Sequence, residues 1–227
     1  MNDVQLTTIN QLEFLSTICG ALKSIKRTGW VRSGVPLPES DADHMHRCAM
    51  CAMMVTQEKD VDVDHVKLLR MALTHDLCEA LAGDVTPFCE KSKVENKHEA
   101  ERQAMERINE MVGEPLGGEL MELWKEYEAQ ESVEAIYCKD IDKFEMIMQA
   151  YEYEKMHLKQ KDKINHSGNE NDIVTTTNAL TEPLRTFFIT TQKKMKTSMF
   201  KRLDAELRSK REAMLSSRGW NVTDDEK

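Results

Sequence analysis

The chain has 227 residues, and 40 acidic against 31 basic side chains give it a formal net charge of −9. This length is sufficient for one well-buried domain, and the acidic excess argues against a nucleic-acid-binding surface, because phosphate backbones recruit basic faces. No stretch approaches the roughly 20 consecutive apolar residues of a membrane-spanning helix. We therefore expect a globular protein with no nucleic-acid partner and no membrane span.

The cysteines indicate a reducing environment. Six are present, and the N-terminus lacks the basic and apolar regions of a signal peptide, so we expect reduced thiols in a cytoplasmic, or alternatively nuclear, compartment. Cys48 and Cys51 have the CxxC spacing, and His44 lies one turn earlier. A zinc knuckle would need a second closely spaced pair, and the other cysteines are scattered singly. We interpret Cys48 and Cys51 as buried thiols.

Helix follows helix along the chain, which predicts an all-α fold. Only five prolines and nine glycines occur, and apolar residues recur every three or four positions. The predicted helices span about residues 6–24, 40–59, 64–83, 94–111, 120–128, 133–156 and 174–196. Residues 28–41 are a predicted loop, residues 159–172 are polar, and the last thirty residues are predicted to be solvated.

Three of these helices carry recognisable local signals. Ser40 is a predicted N-cap for the helix that carries His44, and Asp64 is predicted to open the next helix. In the first helix the predicted apolar stripe is Ile9, Leu12, Leu15, Cys19 and Leu22. In the helix after Asp64 the predicted buried stripe is Val66, Leu69, Leu73 and Leu77.

The pair His75-Asp76 is the strongest chemical signal in the chain. Adjacent side chains cannot share one helix face, yet both can reach an ion beside the helix, and an imidazole with a carboxylate suits Mn²⁺, Co²⁺, Fe²⁺ or Zn²⁺. The dipeptide alone is a weak signal, but Glu79 and Asp84 follow closely. His44 lies on the preceding helix, where antiparallel packing would bring its ring toward His75.

These motifs together resemble the HD-domain metal-dependent phosphohydrolases, in their 5'-deoxynucleotidase branch. The match covers about residues 12–156, and its most specific block runs from His75 to Asp84. Further matching stretches are residues 26–31, 38–40 with His44, 123–128 and 140–143. The resemblance implies an all-α HD-domain helical bundle. We accordingly predict a single HD domain over residues 1–196, followed by a polar C-terminal extension over residues 197–227.

The resemblance also implies the ligands of a divalent metal such as Mn²⁺, Co²⁺ or Mg²⁺. These ligands are His44, His75, Asp76 and Asp142. Spacing does not by itself select Asp142, since Asp140 and Glu145 lie nearby. The selection follows from the family, in which a late helix contributes the closing aspartate.

Glu79 and Asp84 have two open roles. A carboxylate beside a metal can take or relay the proton of an activated water. Alternatively, the resemblance allows both residues to bind a second cation, together with the main-chain oxygen of Met148. The sequence does not decide between proton transfer and ligation.

Arg27 and Trp30 are the predicted substrate-binding residues. A guanidinium group can direct two N–H groups at a phosphate, and an indole can stack on a base or line a sugar pocket. In some members of the family the two residues are adjacent, whereas here Thr28 and Gly29 separate them.

The function that the resemblance implies is hydrolysis of 2'-deoxyribonucleoside 5'-monophosphates to deoxynucleoside and phosphate. The expected partner is a small-molecule nucleotide, and the expected assembly is a homodimer. The alternatives are another HD-type nucleotide phosphohydrolase or phosphodiesterase, a non-catalytic nucleotide-binding HD module, and a helical scaffold that binds no metal.

Overall fold

The computed structural model describes residues 3–58, 62–161 and 180–221. These residues form helices joined by turns, with two isolated β-bridges and no named strand among them, which confirms the all-α prediction. None of the described helices combines the length and the apolar character that a bilayer crossing requires. In chain order the helices are α1 (Asp3–Glu13), α2 (Gly20–Leu22), α3 (Thr28–Arg32), α4 (Asp41–Met54), α5 (His65–Ala72), α6 (Glu79–Ala82), α7 (Lys91–Glu95), α8 (Lys97–Val112), α9 (Leu116–Ala129), α10 (Val133–His157), α11 (Arg185–Thr191) and α12 (Ser198–Ser217).

The chain divides into two compact units. The first contains the described parts of Met1–Gly29 and Glu39–Lys139, and the second contains Trp30–Pro38 and the described parts of Asp140–Lys227. The core of the first unit is built on α8 and α9 and includes Ile18, Leu22, Met45, Leu77, Cys78, Ala104, Met105, Ile108, Met121 and Trp124. The predicted domain bounds, 1–196 and 197–227, remain predictions.

The first helical region changes its winding partway along. A π-helix over Phe14–Cys19 follows α1 and leads into α2. Because a π-turn contains more residues than an α-turn, it shifts the side chains that face the core. Ile18 and Leu22 are buried, whereas Leu12 and Leu15 are 64% and 60% exposed. The predicted stripe is therefore wrong at Leu12 and Leu15, and also at Ile9, which is 43% exposed.

The predicted helix over residues 64–83 is interrupted between α5 and α6. The Thr74 hydroxyl donates to the Arg70 carbonyl at 2.8 Å, and the amides of Thr74 and Leu77 bind carbonyls three residues earlier. This tighter bonding ends the α-helix. His75 therefore lies in a turn, and the prediction of one continuous helix is wrong there.

The burial along α5 also differs from the predicted stripe. Leu68 and Met71 are fully buried, whereas Val66 and Leu73 are 66% and 49% exposed. Asp64 does open the helix as predicted, since its carboxylate accepts hydrogen bonds from the amides of Val66 and Lys67. The helix start was therefore predicted correctly, and the buried face was wrong at Val66 and Leu73 but correct at Leu77, which is 4% exposed.

Other predicted elements agree more closely with the structure. Ser40 caps α4 in a capping box, in which the Ser40 amide donates to Asp43 at 2.8 Å and the Asp43 amide donates to the Ser40 hydroxyl at 3.2 Å. The helix predicted over 133–156 is α10 to within one residue. The final predicted helix, 174–196, contains α11, and its predicted start lies outside the described residues.

The second unit has a core that includes its C-terminal helix. Arg211 forms a buried ion pair with Glu154 at 2.8 Å, and its guanidinium lies 3.7 Å from the centre of the Phe188 ring. Phe200 and Leu215 of α12 are fully buried. The expectation that the end of the chain is solvated is therefore wrong for α12.

Candidate functional site

Two buried histidines meet in the first unit. His44 lies on α4 and His75 in the turn between α5 and α6, and their ring centres are 5.5 Å apart in an edge-on arrangement. Both residues are at most 2% exposed. The ring of Tyr127, on α9, packs 5.2 Å from His75. The predicted approach of the two imidazoles is present in the fold.

Asp76 joins this pair to Arg27. Its Oδ2 atom lies 3.3 Å from Nε2 of His75 and 3.6 Å from Nε2 of His44. The same oxygen accepts a hydrogen bond from Nη1 of Arg27 at 2.9 Å. Three of the predicted site residues therefore surround one carboxylate oxygen of a fourth.

The surroundings of His75 direct one ring nitrogen into this group. Its Nδ1 atom lies 3.0 Å from the carbonyl oxygen of Ala72, so Nδ1 carries a proton, and in the neutral imidazole Nε2 then presents a lone pair. Nε2 is buried and has no hydrogen-bond partner among the described residues. A buried polar atom without a partner is costly. This lone pair and the neighbouring ligand atoms of His44 and Asp76 together fit a divalent cation.

A cluster of carboxylates lies on neighbouring elements of the same unit. Asp41, Glu79 and Asp84 each place one oxygen within 4.8 Å of the others. Asp41 is fully buried and Glu79 is 4% exposed. Neither oxygen of Asp41, nor Oε2 of Glu79, has a hydrogen-bond partner in the described parts of the chain. Such a set also fits a cation, since hard divalent ions prefer oxygen ligands.

Burial and like charge govern these acids in the absence of a cation. Burial, reinforced by the charges of Asp76 and Asp84, raises the pKa of Glu79 well above its usual range. Burial likewise raises the pKa of Asp41 to about 7, against the opposing effect of Arg27. The cluster therefore holds less negative charge near neutral pH than its three carboxyl groups would carry in water.

Asp84 is fixed by the start of α3, at Thr28, where the prediction of a loop from residue 28 is wrong. Its side chain accepts a hydrogen bond from the amide of Thr28, and its carbonyl accepts one from the Thr28 hydroxyl at 2.7 Å. Gly83 precedes it with a φ of 77°, a conformation that glycine adopts at little cost. This turn leads Asp84 out of α6 and connects it to the Arg27 loop.

Two residues beside the predicted ligands were not selected from the sequence. Asp41 lies one turn before His44, where an acid is also expected simply to complement the helix dipole. Cys48 lies one turn after His44, and its Sγ atom is 3.5 Å from Nε2 of His44. The i to i+3 and i to i+4 spacings were visible, but spacing alone does not show that both positions face the site.

Asp142 and Met148 belong to the second unit, where both are half-buried on α10. Their predicted roles in metal binding remain predictions. Asp140, which the spacing did not exclude, has another function. Its carboxylate accepts hydrogen bonds from the amides of Lys196 at 2.8 Å and Thr197 at 2.7 Å, at the start of α12.

Trp30 also belongs to the second unit and is 1% exposed. Its ring centre lies 4.2 Å from that of Phe187 and 5.4 Å from that of Tyr153. This environment gives the indole a packing role in the core. Its predicted contact with substrate remains a prediction.

A cavity lies beside the short helix that carries Glu79. It has a volume of about 290 Å³ and is lined by Ala82, Val85, Asn96, Lys97 and Ala100, among others. This volume is close to the lower limit of about 300 Å³ for small-molecule sites.

The chain belongs to the HD domain family, whose model matches residues 19–180. It is 41% identical to 5'-deoxynucleotidase HDDC2 of Dictyostelium discoideum, over 89% of this chain and 98% of that protein. It is 45% identical to 5'-deoxynucleotidase HDDC2 of Homo sapiens, over 65% of this chain and 70% of that protein. A conserved hypothetical protein of Pyrococcus furiosus shares the fold with a TM-score of 0.59 and 30% identity, over 86% of this chain and 98% of that one. The predicted family and fold are confirmed.

Proposed function

We propose that the chain is a metal-dependent 5'-deoxynucleotidase, which hydrolyses 2'-deoxyribonucleoside 5'-monophosphates to deoxynucleoside and phosphate. Relatives at 41% and 45% identity carry the name 5'-deoxynucleotidase. The structural observation that carries the proposal is Nε2 of His75, which is buried without a hydrogen-bond partner among the described residues, beside His44 and Asp76.

The metal would be held by His44, His75 and Asp76, with Asp142 as the fourth ligand that the family implies. When bound, a divalent cation such as Mn²⁺, Co²⁺ or Mg²⁺ supplies Lewis acidity toward a phosphate oxygen and lowers the pKa of a nearby water. The hydrogen bond from His75 Nδ1 to Ala72 keeps the imidazole in the tautomer that ligation needs.

Arg27 would hold the phosphate group of the substrate. Its hydrogen bond to Asp76 fixes the guanidinium next to the histidine pair. A guanidinium carries five N–H donors in a planar fork that suits phosphate oxygens. Binding there would orient the phosphorus for attack by water on the side opposite the 5'-oxygen.

Glu79 and Asp84 would serve the same reaction in one of two ways. Hydrolysis breaks the bond between phosphorus and the 5'-oxygen, and that oxygen must then gain a proton. Glu79 is buried next to Asp76 and Asp84, so it can move this proton. Alternatively, Glu79 and Asp84 would hold a second cation with the main-chain oxygen of Met148, and such an ion would supply positive charge near the leaving group.

The nucleoside would occupy the cavity beside α6. Glu79 opens that helix and Ala82 lines the cavity, so a substrate whose phosphate meets Arg27 has space for its base nearby. Val85 and Ala100 give part of this cavity an apolar lining, which suits a nucleobase face.

The proposal extends to assembly and compartment. The exposed Leu12 and Leu15 form an apolar surface on the first helical region, which a second copy of the chain would cover in the homodimer that the family implies. Sedimentation of the parent and of Leu12→Glu tests the dimer.

None of the six cysteines is in a disulfide, as expected for a cytoplasmic or nuclear protein.

Metal removal and a change of substrate class test the proposed activity together. The chelated protein should release no phosphate from dAMP, and Mn²⁺ or Co²⁺ should restore the release. The restored enzyme should act far better on dAMP than on dATP or a cyclic nucleotide. Preference for either of the latter would favour another HD-type phosphohydrolase, and no turnover with any metal would favour a non-catalytic module.

A further inference from the structure

We infer that Cys48 is a metal ligand in this chain, and that with His44 and His75 it forms a zinc-selective site. The inference rests on the proposed metal centre and adds a sulfur donor that the proposed ligand set lacks. The site would hold a thiophilic cation such as Zn²⁺ in competition with the Mn²⁺, Co²⁺ or Mg²⁺ that supports hydrolysis.

The fold brings the three donors together. Cys48 follows His44 by four residues on α4, so the two side chains share a face of the helix. One ligand atom from each of His44, Cys48 and His75 lies within 4.8 Å of the other two. All three residues are buried, with Cys48 and His44 fully inaccessible.

The distances agree with a zinc site. Zinc bonds of about 2.3 Å to sulfur and about 2.0–2.1 Å to nitrogen, in tetrahedral geometry, place ligand atoms roughly 3.3–3.8 Å apart. Sγ of Cys48 lies 3.5 Å from Nε2 of His44, within that range. A thiol donating a proton to the same nitrogen would give a similar distance, so this contact alone does not identify a ligand.

His75 provides the second, independent observation. Its Nε2 atom is buried and lacks a hydrogen-bond partner among the described residues, while Nδ1 is engaged by Ala72. A hydrogen bond between Cys48 and His44 would still leave Nε2 of His75 without a partner. A cation bound by His44, Cys48 and His75 satisfies all three donors at once.

A thiolate at this position changes which metal the site prefers. Carboxylate and water ligands suit Mn²⁺ and Mg²⁺, whereas imidazole suits Zn²⁺ and a thiolate strengthens the preference for it. The Cys48 proton passes to solvent as the cation binds. Because Zn²⁺ would occupy the same two histidines, it should displace Mn²⁺ from the parent protein.

X-ray absorption of the zinc-loaded full-length chain tests this assignment. We expect a sulfur shell at about 2.3 Å next to nitrogen ligands. Cys48→Ala should lose the sulfur shell, and its affinity for Zn²⁺ should fall by more than about tenfold. Loss of a residue that only supports a ligand already lowers metal affinity by about that much. Cys51→Ala, which removes the other buried thiol of α4, should retain both.

A parent protein whose zinc has no sulfur ligand would overturn the inference without any variant. A folded Cys48→Ala or Cys48→Ser that keeps the sulfur shell would also overturn it. Release of phosphate from dAMP with Mn²⁺, measured on a portion of the same protein that is chelated and kept free of zinc, tests the proposed function separately. Hydrolysis together with sulfur-free zinc refutes the thiolate ligand alone, and sulfur-bound zinc without any hydrolysis refutes the nucleotidase alone.

Discussion

His75 gives the sharpest test of the proposed ligands at the scale of one residue. Replacing it with alanine removes a nitrogen that is buried next to His44 and Asp76, so His75→Ala should lose bound Mn²⁺ and essentially all turnover. His46 is exposed on the same helix as His44, and His46→Ala should leave both properties unchanged. Bound metal in the two variants is measured by elemental analysis, and turnover by phosphate release. A fully active, metal-bound His75→Ala would refute the proposed site.

Glu79→Gln separates proton transfer from ligation. The amide keeps the shape of the buried side chain but neither exchanges a proton nor carries charge. If Glu79 moves a proton, turnover should fall by about 10²–10⁴-fold while the metal at His75 stays bound. If it helps Asp84 to hold a second cation, that cation should be lost, and high Mg²⁺ should restore part of the rate.

Elemental analysis and a Mg²⁺ titration of Glu79→Gln decide between the two roles. The unpartnered buried oxygens of Asp41, next to Glu79 and Asp84, favour the cation, because a bound ion would give these buried oxygens a partner. A variant with near-parental turnover would rule out both roles and leave Glu79 as a buried acid without function.

The sequence predicted part of this site because part of it is local. His75, Asp76, Glu79 and Asp84 fall within ten residues, so any structure that exposes one to an ion brings the others near. Asp41 was not predicted, because an acid in the first turn of a helix has an ordinary explanation in the dipole. Its burial depends on tertiary packing that spacing does not encode.

At the scale of an element, the turn between α5 and α6 determines how His75 and Asp76 are placed relative to each other. A continuous helix would direct adjacent side chains about 100° apart. The interrupted backbone instead places Oδ2 of Asp76 within 3.3 Å of Nε2 of His75. The apolar periodicity continues through this segment, so the sequence pattern predicted an unbroken helix. The Thr74 hydroxyl, which bonds to the Arg70 carbonyl, was the local signal against it.

For the two aspartates on α10 we predict opposite effects on stability and on metal binding. Asp140 accepts hydrogen bonds from the amides of Lys196 and Thr197 at the start of α12, and its replacement leaves these partly buried bonds without a charged acceptor. Asp140→Asn should therefore lower the free energy of unfolding by about 1–3 kcal/mol, as urea denaturation measures it, and should retain bound Mn²⁺.

Asp142→Asn is the matched variant two residues away. As the proposed fourth ligand, it should lose Mn²⁺ affinity, measured by titration of the chelated protein. The pair therefore distinguishes the helix-capping aspartate from the ligand. Loss of metal in Asp140→Asn, with full retention in Asp142→Asn, would reverse the assignment.

At the scale of the whole molecule, the sequence predicted the fold class and family but not the role of the chain's end. The charged residues of α12 suggested solvation, yet Arg211 pairs with Glu154 inside the second unit. These two residues are 57 positions apart in the sequence, and the local pattern of neither helix predicts their pairing. Helices with strong local signals, such as α10, were predicted to within a residue.

The rate of phosphate release from dAMP and from AMP, with Mn²⁺ added to the chelated protein, tests the central claim most directly. An apolar sugar site rejects an added hydroxyl by up to about 10²-fold, so kcat/KM for dAMP should exceed that for AMP by a factor between roughly ten and 10². Equal values for the two nucleotides would contradict the deoxynucleotidase assignment and leave a general nucleotidase. Absence of phosphate release from both would contradict the proposed activity altogether.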